Sequence, residues 1–81
     1  QPEEVQLLCH MSMMKHIIDH FGMDVKTEPI DEDSFRANIL VCTSSTFYRW
    51  IFGFNGKIRI LGPESVKTAY REMLRKALEA L

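Results

Sequence analysis

The chain switches between two hydrophobic periods, and each switch marks the border of an element. From Val5 to Cys9 the apolar residues Val5, Leu7 and Cys9 occupy alternate positions, the spacing of a strand with one buried face. The period then lengthens. Met14, Ile17, Ile18 and Phe21 stand at i, i+3, i+4 and i+7, predicting a helix with Ser12 as its N-cap and Gly22 in the left-handed position just beyond it. Val25 to Ile30 predicts a second strand, and Pro29, which has no N–H to donate across a ladder, assigns that strand to a sheet edge. Asp31-Glu32-Asp33 reads as a charged turn. After it Phe35, Ala37, Ile39 and Val41 alternate with Arg36, Asn38, Leu40 and Cys42, so the second and third strands should form a hairpin.

Helical spacing returns at Phe47, Trp50, Ile51 and Phe54, with cap candidates in Thr43-Ser44-Ser45-Thr46 before it and Gly53 and Gly56 at its end. Lys57 to Leu61 is a short strand with Ile58 and Ile60 on one side. Gly62-Pro63-Glu64 then opens the longest helix, whose apolar stripe runs through Val66, Tyr70, Met73, Leu74, Ala77, Leu78 and Leu81. Its other side is charged, and Glu72 to Lys76 is a favourably oriented i, i+4 pair. The order is βαββαβ with one more helix. That is the α+β pattern of a ferredoxin-like domain: a four-stranded antiparallel sheet and an additional C-terminal helix.

Right-handed crossovers place the first two helices on one face of such a sheet. Strand parity then puts Gln6, Leu8, Arg36, Asn38, Leu40, Arg59 and Leu61 on the other face. Leucines on three adjoining strands point to a covered face or an interface, with the terminal helix or another subunit as the cover. The second helix is also apolar on two sides, because Tyr48 and Phe52 lie opposite the core-facing residues with Arg49 between them. Aromatic residues with arginine are the composition of a contact surface. Tyr48, Arg49, Phe52, Arg36, Leu40, Arg59 and Leu61 are therefore the interface candidates, and Tyr48 and Phe52 have packing against the terminal helix as their competing explanation.

Composition narrows the function classes. The chain has 81 residues, which bounds it to a single domain, residues 1–81. Ten basic and eleven acidic residues leave a net charge of -1, against a whole-domain basic footprint for nucleic acid. No apolar run approaches the roughly 20 residues of a membrane span, and the N-terminus does not resemble a secretory signal. The absence of Met at position 1 suggests a fragment of a larger protein. Two cysteines, Cys9 and Cys42, are too few for a disulfide framework; both are expected to be buried, and the compartment to be cytoplasmic.

Candidate chemistry is thin. His16 and His20 are one turn apart on the first helix, yet they lie opposite its apolar stripe with no third ligand nearby, and Cys9-His10 point to opposite faces. The serines cluster where helices need caps, so no nucleophile and base pair emerges. The glycines do not form a phosphate-cradling loop, and Asp31-Glu32-Asp33 lacks the oxygen spacing of a calcium loop. Stacking of single-stranded RNA would require aromatic rings on the open sheet face, where Arg36, Asn38 and Leu40 stand instead. Lys67, Arg71 and Arg75 form a basic row interrupted by Glu72 and Glu79, a solvated helix face. Arg36 and Asn38 are the only anion binders an acylphosphatase-like enzyme could use there. No catalytic residue, metal site or cofactor is expected.

The segment from Phe47 to Val66, with its aromatic helix, glycine turn, short strand and Pro-Glu helix start, followed by Tyr70-Arg71-Glu72-Met73-Leu74, resembles the C-terminal extension domain of bacterial WYL-domain transcriptional regulators. The similarity runs from Val5 to Leu81 and is densest from Phe47 onward. Trp50, Ile51, Phe54, Ile58, Ile60, Pro63 and Leu74 occupy pattern positions that look structural. The resemblance implies a non-catalytic module serving dimerisation or regulation, which reaches DNA only through an N-terminal helix-turn-helix not contained in these residues. The partner it implies is a second protomer or the WYL domain, and the effector a small molecule or nucleic acid. A small-molecule sensor binding its effector at a dimer interface is the alternative.

Overall fold

The computed structural model describes residues 1–81. Four strands, β1 (Glu3–His10), β2 (Lys26–Pro29), β3 (Ser34–Val41) and β4 (Ile58–Gly62), and three helices, α1 (Met14–Phe21), α2 (Ser45–Phe52) and α3 (Glu64–Glu79), follow one another as βαββαβα. The sheet order is β2-β3-β1-β4 and every neighbouring pair is antiparallel, so the fold is the ferredoxin-like one expected. β2 lies at an edge, and its residues are all exposed.

Alternation makes one sheet face the floor of the core. Val5, Leu7 and Cys9 of β1, Phe35, Ala37 and Ile39 of β3, and Ile58 and Ile60 of β4 are all buried. Cross-strand register brings Val5 opposite Ile39, Leu7 opposite Ala37 and Cys9 opposite Phe35, so each pair shares one side of the pleat. The helices supply the ceiling: Met13 before α1, Ile17 from α1, Phe47 and Ile51 from α2, and Val66 from α3. No helix is long and apolar enough to cross a membrane.

Several local expectations are corrected. Ser12 does not cap α1. Residues Met11–Met13 form a 3-10 turn whose cap is His10, with Nδ1 accepting from the Ser12 N–H at 3.1 Å. This shift turns Met13 into the core, while Met14, Ile18 and Phe21 are only half-buried. Ser44 is the N-cap of α2, its hydroxyl accepting from Phe47 N–H at 3.4 Å. The turn after α2 closes through Asn55 and Gly56 at positive φ, 55° and 87°, conformations that asparagine and glycine adopt with least strain. Arg75, and not Lys76, takes Glu72 as its partner, and a second bond to Glu79 completes a two-carboxylate clasp on α3. That clasp keeps the Glu72 carboxyl below its ordinary range and holds the Arg75 guanidinium above its own.

Leu7 has no exposed surface and sits on the central strand beneath the helices. Leu7→Ala should therefore cost about 2–5 kcal/mol, the usual range for a large cavity in a core. A urea titration reads this as a fall in midpoint with an unchanged slope.

Candidate functional site

The face of the sheet turned away from the helices holds most of the interface candidates. Leu8 lies opposite Arg36 on β3 and opposite Arg59 on β4, so an arginine flanks it on each side. Next in the same row, across β3, Glu28 of β2 faces Arg36 and accepts a bond from its Nη1 at 3.2 Å. Both partners are exposed, and such a pair contributes under about 1 kcal/mol. Arg59 forms no ion pair. Along the other rows Asn38 lies opposite Gln6 and Leu40 opposite Glu4. Leu61 falls where the β1–β4 register slips between Gln6 and Leu7, which leaves it without a direct cross-strand partner. Leu40 is 66% exposed and Leu61 41% exposed, so nothing in the chain covers this face.

The second helix is two-sided because it is the middle helix of three. Phe47 and Ile51 face the sheet; Trp50 and Phe54 turn toward α1; Tyr48 turns toward α3. Of the two explanations for Tyr48, packing against the terminal helix holds and the intermolecular contact does not: its ring is buried, stacked on Tyr70 at 5.5 Å and 14° between planes. The physical reason is burial of two amphipathic rings against each other, which takes more apolar surface from water than either would lose alone. Phe52, one turn further on, passes beyond Tyr70 and stays 60% exposed. Arg49 remains exposed and folds back along its own helix, bonding to the Ser45 carbonyl and to Thr46 Oγ1.

His16 and His20 are exposed, as expected, and their rings also contact aromatic side chains of α2. They lie along the seam between α1 and α2. His20 stacks on Trp50 at 4.4 Å and meets Phe21 edge-on, and His16 approaches Phe54 at 4.9 Å. No three His, Cys, Asp or Glu side chains converge as metal ligands do. Cys9 is buried, as expected, and burial pushes its thiol up to about 12. Cys42 is exposed instead, because it follows the last residue of β3 and shares parity with Leu40. At the β2–β3 tip Asp31 accepts from the Asp33 N–H and the Ser34 hydroxyl, both at 2.8 Å, which holds its carboxyl below the ordinary range. These acidic residues brace a turn.

The terminal helix lies on the helix side of the sheet and not across the open face. Val66 enters the core, while Tyr70 and Met73 pack against it. Further along the expected stripe Leu78 is 69% exposed and Leu81 98% exposed, so its last turns leave the body of the domain. Between α3, β4 and the end of α2 a cleft of about 450 Å³ opens, lined by Phe52, Ile58, Ile60, Tyr70 and Leu74 and bordered by Arg59, Lys67 and Arg71. Sequence reading missed this cleft. The signal available was Arg71, which has no carboxylate three or four residues away, unlike Arg75 between Glu72 and Glu79.

A family model described as the WCX domain matches residues 1–78. Comparison with curated proteins and with solved structures gave no match.

Near neutral pH, iodoacetamide should modify Cys42 of the native protein and leave Cys9 intact, because thiolate is the reactive form and the Cys9 thiol is both buried and raised. Mass spectrometry counts the adducts, and concentrated guanidinium should release the second site. A double-mutant cycle on Tyr48→Ala and Tyr70→Ala should give a coupling of about 0.5–1.5 kcal/mol in unfolding titrations.

Proposed function

Because this chain belongs to the WCX domain family, the C-terminal extension of WYL-domain regulators, we propose that it is a non-catalytic module that joins two copies of its regulator through the open sheet face. The observation that carries this reading is the position of α3. By packing beside α2 through Tyr70 and Val66, the terminal helix leaves the opposite face of all four strands bare, with Leu40 and Leu61 exposed on it. A domain of this size gains stability from covering such a surface.

The face suits a copy of itself. It presents both signs of charge, Glu4 and Glu28 together with Lys26, Arg36 and Arg59, and a two-fold interface requires a patch complementary to itself. The apolar contribution comes from Leu8, Leu40 and Leu61. Arg49, exposed on the helix side, is then free for the WYL domain of the same regulator. Effector binding upstream would be coupled to the distance between two DNA-binding units if the bound and free states make different contacts across this face. The alternative, an effector held at the interface itself, draws its support from Arg59, whose guanidinium has no anionic partner within the chain.

Leu40→Lys tests the reading with little cost to the monomer, since Glu4 lies directly across the strand pair and can accept the new ammonium. Sedimentation equilibrium of the wild-type chain should show a dimer, and the variant should dissociate at least about tenfold more readily, as expected for a charge placed in an apolar contact. A monomer at every concentration, or a variant indistinguishable from wild type, contradicts the proposal.

A further inference from the structure

The cleft between α3 and β4 combines two features that seldom meet on a surface by packing alone. Its floor and walls are apolar: Ile58 and Ile60 from the edge strand, Tyr70 and Leu74 from successive turns of α3, and Phe52 at the end of α2. Its border is cationic. Lys67 and Arg71 are one turn apart on α3, and Arg59 adjoins from β4. None of the three belongs to an ion pair, and no Asp or Glu lines the cleft. The contrast with Arg75, one turn beyond Arg71 and clasped by Glu72 and Glu79, shows that α3 has carboxylates and directs them away from this side. The other large depression, beside β2 and β3, is lined by Glu4 and Asp24 as well as Lys26 and has no such bias.

We infer that this cleft binds a small organic carboxylate, its apolar body on Ile58, Ile60 and Leu74 and its carboxylate between Lys67 and Arg71. The volume of about 450 Å³ lies within the range of small-molecule sites, which are mostly apolar with a few charged groups to fix orientation. Lys67 is half-buried, so its ammonium stem lies along the apolar wall while its head remains available. Arg71 offers a planar fork that matches a carboxylate. The Tyr70 phenol, partly desolvated as its raised pKa reflects, adds a hydroxyl to the same wall. Phe52, whose ring is exposed and otherwise unexplained by packing, closes over the body of the ligand. Lys67 and Arg71, which hold the carboxylate, lie on the helix side of the sheet; Arg59 alone also belongs to the open face, so a Lys67, Arg71 variant tests this site separately from the sheet-face dimer.

The test titrates the 81-residue chain with 4-phenylbutyrate, with the neutral 4-phenylbutanol and with inorganic phosphate, following amide and methyl resonances by NMR. Phenylbutyrate should shift signals of Phe52, Ile58, Tyr70 and Leu74 saturably, with a Kd of roughly a millimolar or lower, the scale set by its size. The alcohol should bind at least about fivefold more weakly, and a Lys67→Gln, Arg71→Gln variant about tenfold more weakly than wild type, as loss of charge-assisted bonds requires. Both substitutions are on the helix exterior and should leave the resonances of the core unmoved. Four results would each overturn the proposal: no saturable shift, equal affinity for acid and alcohol, phosphate alone binding as well as phenylbutyrate, or cleft signals that move on dilution without ligand because a second chain occupies the groove.

Discussion

The position of the terminal helix is the constraint on which the surfaces of this domain depend. A single antiparallel sheet has two faces, and three helices of this length could be divided between them. Here all three lie on one side, and the contact that enforces this is local: Val66 enters the core just after the helix begins, and one turn later Tyr70 stacks on Tyr48. Because α2 then has a helix on each flank, its sequence must be apolar on more than one side, and Tyr48, Trp50, Phe52 and Phe54 follow from that demand. The bare sheet face, the cationic cleft and the free C-terminal turns are three consequences of the same choice.

Most of the frame is legible along the chain because it depends on periodicity. The period-2 runs through Val5, Leu7 and Cys9 and through Phe35, Ala37 and Ile39 correspond to buried rows, and Pro29 does mark an edge strand. Parity also carried information that residue preference obscured: Cys42 continues the row of Leu40, so its exposure was written in the alternation even though cysteine is usually buried. What the periodicity of one helix does not contain is its neighbour. Tyr48 and Phe52 share a side of α2, yet Tyr70 covers one and stops short of the other. The His10 cap and the seam formed by His16 and His20 likewise depend on the 3-10 turn and on α1 meeting α2, which spacing alone leaves open.

The cleft was less legible still, because its three walls come from the end of α2, from β4 and from α3. In sequence, Lys67, Arg71 and Arg75 form one basic row interrupted by Glu72 and Glu79. In the fold the row divides: carboxylates one turn either side of Arg75 pair with it, whereas the first two cations form no ion pair and border an apolar cleft that no carboxylate lines. Charge patterning along a helix thus describes which residues share a side, and the difference between a solvated face and a recognition surface lies in what packs beside it. In this WCX domain the bare sheet face and the cleft lie on different sides of the sheet, the first proposed for a second protomer and the second for a small carboxylate.

Solvent paramagnetic relaxation on leucine methyl groups tests the central claim most directly, since it reports which faces water reaches. Leu81, 98% exposed, serves as the internal reference, and the buried Leu7 as the opposite limit. The account predicts that at high dilution Leu40 and Leu61 relax far faster than Leu7 though less than Leu81, and become protected as concentration rises, while Leu81 and Leu78 do not change. Leu40 and Leu61 as protected as Leu7 at the lowest concentration would place the terminal helix across the sheet, and unprotected methyls at every concentration would leave the face without a partner; either result contradicts the account.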